Sequence, residues 1–86
     1  MSWIWYWAIL DRESEGFIAS VPDLGGLVAY GASEKEAVAH VAERASEYVR
    51  ALVESGKPVP HARHPSEMPS DVQLKIGRAM ISVQVG

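Results

Sequence analysis

His61 and His64, with Glu67 following at the same interval, are the side chains whose types and spacing come nearest to a metal site. Imidazoles and a carboxylate at that spacing meet on one cation only when a helix or tight turn brings them to one side, with further ligands. Pro60 and Pro65 flank the pair and disfavour that helix, so the competing expectation is two solvated loop histidines. His40 stands one helical turn after Glu36, where a surface pair is the default. The chain has no cysteine, which removes thiolate nucleophiles, disulfides and cysteine-bound zinc. No serine, histidine and aspartate show the spacing of a nucleophile motif, and no glycine-rich phosphate loop precedes a helix. The expected chemistry is therefore binding, with no cofactor and no metal.

Composition narrows the kind of partner. The chain has 86 residues, of which 48% are hydrophobic, enough for one small domain spanning residues 1–86. Its formal net charge of -3 disfavours nucleic acid and acidic substrates, because phosphate binding needs clustered Lys and Arg. The apolar run from Trp3 to Leu10 is too short to span a bilayer and has no positive residue before it. A soluble, cytoplasmic protein is expected.

The elements that must carry any binding surface are readable from periodicity. From Ser33 to Gly56, Ala37, Val38, Val41, Ala42, Ala45, Tyr48, Val49, Leu52 and Val53 gather on one side of a helix. Glu36, His40, Glu43, Glu47, Arg50 and Glu54 fill the other side. Ser33 with Glu36 forms a capping box at the start, and Gly56 followed by Pro58 marks the stop. Before the helix come Trp3 to Leu10, a polar turn from Asp11 to Glu15, Phe17 to Val21, and Leu27 to Tyr30. This pattern reads as an antiparallel meander. Pro22, Asp23, Gly25 and Gly26 make the second turn, and Gly31 leads into the helix. Residues 57–71 are a proline-rich connector that can hold neither helix nor central strand. Val72 to Ile76 is open between a helical turn and an extended segment. Residues 79–85 alternate as a last strand, placed at a sheet edge. The fold class is α+β, order βββαβ, with one long amphipathic helix packed on one face of the sheet.

Strand one is apolar on both faces. Ile4, Tyr6, Ala8 and Leu10 alternate with Trp3, Trp5, Trp7 and Ile9. One helix covers one face, so the second needs a cover of its own. Either the connector folds over it, or Trp3, Trp5, Trp7 and Ile9 meet another chain, a second copy being the simplest.

Gly16-Phe17, Val21-Pro22-Asp23-Leu24 with Gly26, Gly31, Ser33 followed by Glu36-Ala37, and Pro58 with Pro60 resemble the HicB-like antitoxins over most of residues 6–60. The sequence departs from the family pattern at Gly25, usually proline, and at Leu27, often cysteine or another small residue. The resemblance implies a partial ribonuclease-H-like fold and a protein that neutralises a small HicA-type ribonuclease toxin by direct contact, often as a homo-dimer or homo-tetramer. Many family members add a C-terminal DNA-binding segment. None is visible before Gly86, so no separate DNA-binding domain and no direct nucleic-acid contact are expected.

The fold so implied raises a metal-dependent nuclease as an alternative, since such enzymes converge carboxylates on two divalent ions. Asp11, Glu13, Asp23 and Glu36 are the candidates, and each has an ordinary structural use in a turn or cap. An orphan interaction module without a toxin is a third possibility. On the antitoxin reading, Glu36, Glu43 and Glu47 form an acidic stripe that can face a basic toxin; otherwise they are a solvated helix face.

Overall fold

The computed structural model describes residues 2–67 and 77–85. Strands β1 (Ser2–Glu13), β2 (Gly16–Val21) and β3 (Leu27–Gly31) precede helix α1 (Glu34–Glu54), and β4 (Gly77–Val85) follows it. They form a four-stranded sheet of order β3-β2-β1-β4 in which every neighbouring pair is antiparallel. The α+β class, the βββαβ order and the edge position of the last strand are as the sequence leads one to expect.

β1 is longer than its apolar run. Asp11, Arg12 and Glu13 lie opposite Ile18, Phe17 and Gly16, so only Ser14 and Glu15 make the turn. Ladder bonds belong to the backbone, and polar side chains at a solvent-exposed strand end do not interrupt them. The Arg12 guanidinium also lies 5.4 Å from the centre of the Phe17 ring, holding the strand end together. β4 likewise starts at Gly77, ahead of the expected Ala79.

The core lies between the sheet and α1. Tyr6, Ala8 and Leu10 of β1, Ala19 and Val21 of β2, Ala29 of β3, and Ile81 and Val83 of β4 meet Ala37, Val41, Ala45 and Val49. Each fully buried valine contributes about 1.5–3 kcal/mol relative to exposure. Small side chains along the helix stripe let it sit close to the sheet, and its first turn closely approaches the end of β3. There, a Cβ added to Gly31 would run into the backbone of Ala37, so this position is glycine because of the approach itself.

The helix ends follow from local chemistry. The Glu36 N–H donates to Ser33 Oγ at 3.1 Å, while the Glu36 carboxylate accepts from the Ala32 N–H at 3.4 Å. The box therefore closes one residue ahead of the cap. At the other end Gly56, with φ 70°, donates to the Val53 carbonyl, and Lys57 donates to that of Leu52. This is the Schellman arrangement, in which a left-handed glycine satisfies the last carbonyls. Pro22–Leu24 forms a 3-10 turn that buries Leu24, and Gly25 and Gly26 leave it with φ 70° and 75°. The connector is irregular from Lys57 to His64 and makes one 3-10 turn at Pro65–Glu67. The ambiguous Val72 to Ile76 segment lies outside the described residues.

Candidate protein-interaction site

The sheet face away from α1 carries the tryptophans, and the structure divides them. Trp3 and Trp5 are 56% and 55% exposed, Trp7 is half-buried, and Ile9 is only 3% exposed. Trp7 meets His64 of the connector edge-on, with ring centres 6.1 Å apart. The connector thus covers the Trp7 part of the stripe and leaves Trp3 and Trp5 open. Across the ladder, Trp3, Trp5 and Trp7 lie opposite Gln84, Ser82 and Met80, and Met80 is itself 45% exposed. Ile9 offers no surface to a partner in this arrangement.

Two polar anchors hold the connector in place. The Tyr6 hydroxyl donates to the Pro60 carbonyl at 2.7 Å. The Asp23 carboxylate accepts from the Arg63 backbone N–H at 2.7 Å and pairs with its guanidinium. β2 stops pairing with β1 at Ile9, where Ser20 is the partner, and the Pro22–Leu24 turn packs beside β1 beyond that point. The connector runs past this gap. Burial, and secondarily the negative charge of Asp23, push the Tyr6 hydroxyl above its usual pKa. Asp23 is therefore more than a turn former. A tyrosine on the buried face of a strand signals that its hydroxyl needs a partner, but no sequence pattern names Pro60.

On the helix, Glu43 and Glu47 line an open groove of about 510 Å³ beside β3, together with Ala29, Tyr30, His40 and Arg44. Glu36 is not part of it, being engaged at the helix cap. His40 does not pair with Glu36: its Nδ1 lies 2.7 Å from the Tyr30 carbonyl oxygen. A carbonyl only accepts, so Nδ1 carries the proton. The groove is mixed in charge, with two carboxylates against one guanidinium.

The residues considered for metal chemistry are occupied separately. Asp11 accepts from the Arg12 N–H, Glu36 caps the helix, Asp23 anchors the connector, and Glu13 is exposed at the hairpin. His64 Nδ1 accepts from the Ser66 N–H, and the Glu67 carboxylate accepts from the His64 N–H, as local caps of the short 3-10 turn. His61 is exposed. Among the described residues, no three histidines or carboxylates gather in a way that could hold a metal ion. No described helix is long and apolar enough to cross a membrane.

No protein-family model matches the sequence, and no curated protein matches it. Among solved structures, the chain is similar to one chain of a "HicA3 and HicB3 toxin-antitoxin complex", with a TM-score of 0.66. The match covers 96% of this chain and 99% of that chain at 20% identity. At this identity the likeness is one of fold.

Proposed function

We propose that this chain is an antitoxin-like binding protein that neutralises a small, basic, HicA-type ribonuclease by direct contact. The observation that carries the reading is the fold likeness, over nearly the whole of both chains, to a chain of a toxin–antitoxin complex. The resemblance to HicB-like antitoxins over most of residues 6–60 supports the antitoxin side. Binding, not catalysis, is the function. Glu43 and Glu47, exposed beside an open groove, are the groups that a cationic partner would meet. The protein acts as a homo-oligomer, with Trp3 and Trp5 at the self-contact.

The test is inhibition and association kinetics with a HicA-type ribonuclease from the same genome. The wild-type chain is expected to abolish RNA cleavage at stoichiometric amounts. Glu43→Lys with Glu47→Lys is expected to slow association by roughly tenfold at low salt and to flatten its salt dependence. Undiminished cleavage in the presence of excess wild-type chain overturns the reading. Unchanged kinetics in the charge-reversed variant removes the acidic groove from it.

A further inference from the structure

The two edges of the sheet are finished differently. β3 is five residues long, and His40 engages its Tyr30 carbonyl. β4 is nine residues long, and from Ala79 to Val85 it contains no charged residue, proline or glycine. Natural edge strands are blunted by charges, prolines, bulges or a covering segment, because a bare edge templates pairing with another chain. Among the described residues β4 has a ladder neighbour on its β1 side alone.

We propose that β4 pairs antiparallel with β4 of a second copy across a twofold axis, joining two four-stranded sheets into one continuous sheet. The inference rests on the self-association reading above and adds the strand that carries it. Charge selects a second copy over the basic partner. A chain of net charge -3 can meet itself along an uncharged run without opposing like charges, whereas a cationic protein finds no carboxylate between Ala79 and Val85. In an antiparallel twofold pairing each residue i faces a residue j whose copy faces i in turn, and since every residue from Ala79 to Val85 is uncharged, no register within that run opposes like charges.

The neighbouring side chains fit the same joint. Trp5 lies opposite Ser82 and Trp3 opposite Gln84, and serine is too small to cover an indole. Both indoles therefore remain open one strand away from the edge, on the face that also exposes Met80. Half-exposed tryptophans leave on the order of 100 Å² each. Doubled by symmetry, the indoles offer on the order of 400 Å², of which the part reaching across β4 to the partner strand adds to the strand-edge contact.

Sedimentation velocity on the whole chain tests this, with Ser82→Lys and Met80→Lys as edge variants and Val28→Lys, on the opposite edge strand, as the control. The wild type is expected at twice the 9.4 kDa chain mass. The edge variants are expected to raise the dissociation constant by roughly tenfold or more. Their circular dichroism should be retained and their tryptophan emission shifted to the red, while Val28→Lys behaves as wild type. A dimer that resists both edge variants overturns the β4 pairing and leaves self-association standing; a monomeric wild type at high micromolar concentration overturns both. Should the lysine variants not fold, hydrogen exchange of the wild type decides the matter. Amides from Ala79 to Val85 are expected to exchange more slowly as concentration rises, and concentration-independent exchange there overturns the pairing.

Discussion

Asp23 and Arg63, forty positions apart in the chain, are joined twice, through the backbone N–H and through the guanidinium of Arg63. The Asp23 side chain is nearly buried at 3% exposure, whereas that of Arg63 is 42% exposed. The carboxylate thus belongs to the turn after β2, and the half-open partner belongs to the connector. Solvent screening of the arginine limits the ionic part, so the backbone bond to a buried carboxylate carries more of the effect.

Asp23→Ala is expected to lower stability by about 1–2 kcal/mol and to loosen the connector. Chemical denaturation measures the first effect. Limited proteolysis between Lys57 and His64 measures the second, with cleavage faster than in wild type. Asp23→Asn retains an acceptor for the Arg63 N–H and should lie in between.

Tyr6 makes the connector sensitive to alkali. Below the ordinary tyrosine value of 10.0, the hydroxyl is neutral in the folded and unfolded chains alike, and its stabilisation is fully present. Above 10.0 the unfolded chain releases the proton first, because burial and Asp23 hold the folded value higher. Stability therefore falls as pH rises through the folded pKa. Tyr6→Phe should lose about 1 kcal/mol near neutrality through the missing bond to Pro60, and this part of the alkaline slope should disappear. Denaturation midpoints between neutral pH and pH 11 or so would show both effects.

Gly31 and Gly26 give contrasting outcomes for the same substitution. Gly31→Ala forces the start of α1 away from β3 and is expected to cost about 2 kcal/mol or more. Gly26→Ala meets no neighbouring atom but must hold φ 75°, and its cost is about 1 kcal/mol. Thermal unfolding of the two variants side by side would rank them.

Ser33→Ala removes the acceptor for the Glu36 N–H at the start of α1, with an expected loss of about 1 kcal/mol. Ser33→Asp should keep most of the stability, since a carboxylate also accepts this bond and favours the positive end of the helix. Circular dichroism melts distinguish the two substitutions.

The helix and the order of strands were readable because both rest on local repeats: Ala37, Val41, Ala45 and Val49 recur at helical spacing, and Tyr6, Ala8 and Leu10 at strand spacing. The end of β1 was not, since Asp11 and Glu13 have polar side chains that say nothing about whether their backbone groups are paired. Of the candidate interaction residues, the exposure of Trp3 and Trp5 follows from alternation, but the burial of Ile9 and the contact of Trp7 with His64 do not. The Trp7 contact depends on the path of the connector, which is set by Tyr6 meeting Pro60 and Asp23 meeting Arg63. Such meetings between distant residues leave no periodic trace in either partner.

The register between β1 and β4 also bears on how the chain reaches its fold. Ser2 lies opposite Val85 and Trp5 opposite Ser82, while β2 pairs with β1 only from Ile9 to Glu13. The far half of β1 can zip to the β2 hairpin soon after synthesis, but Ser2 to Ala8 must wait for β4. Closing so large a loop delays this pairing and slows folding relative to a chain of local contacts. During that interval the three tryptophans stand on an unzipped strand, the segment of a nascent chain with most need of a chaperone or of a second copy nearby.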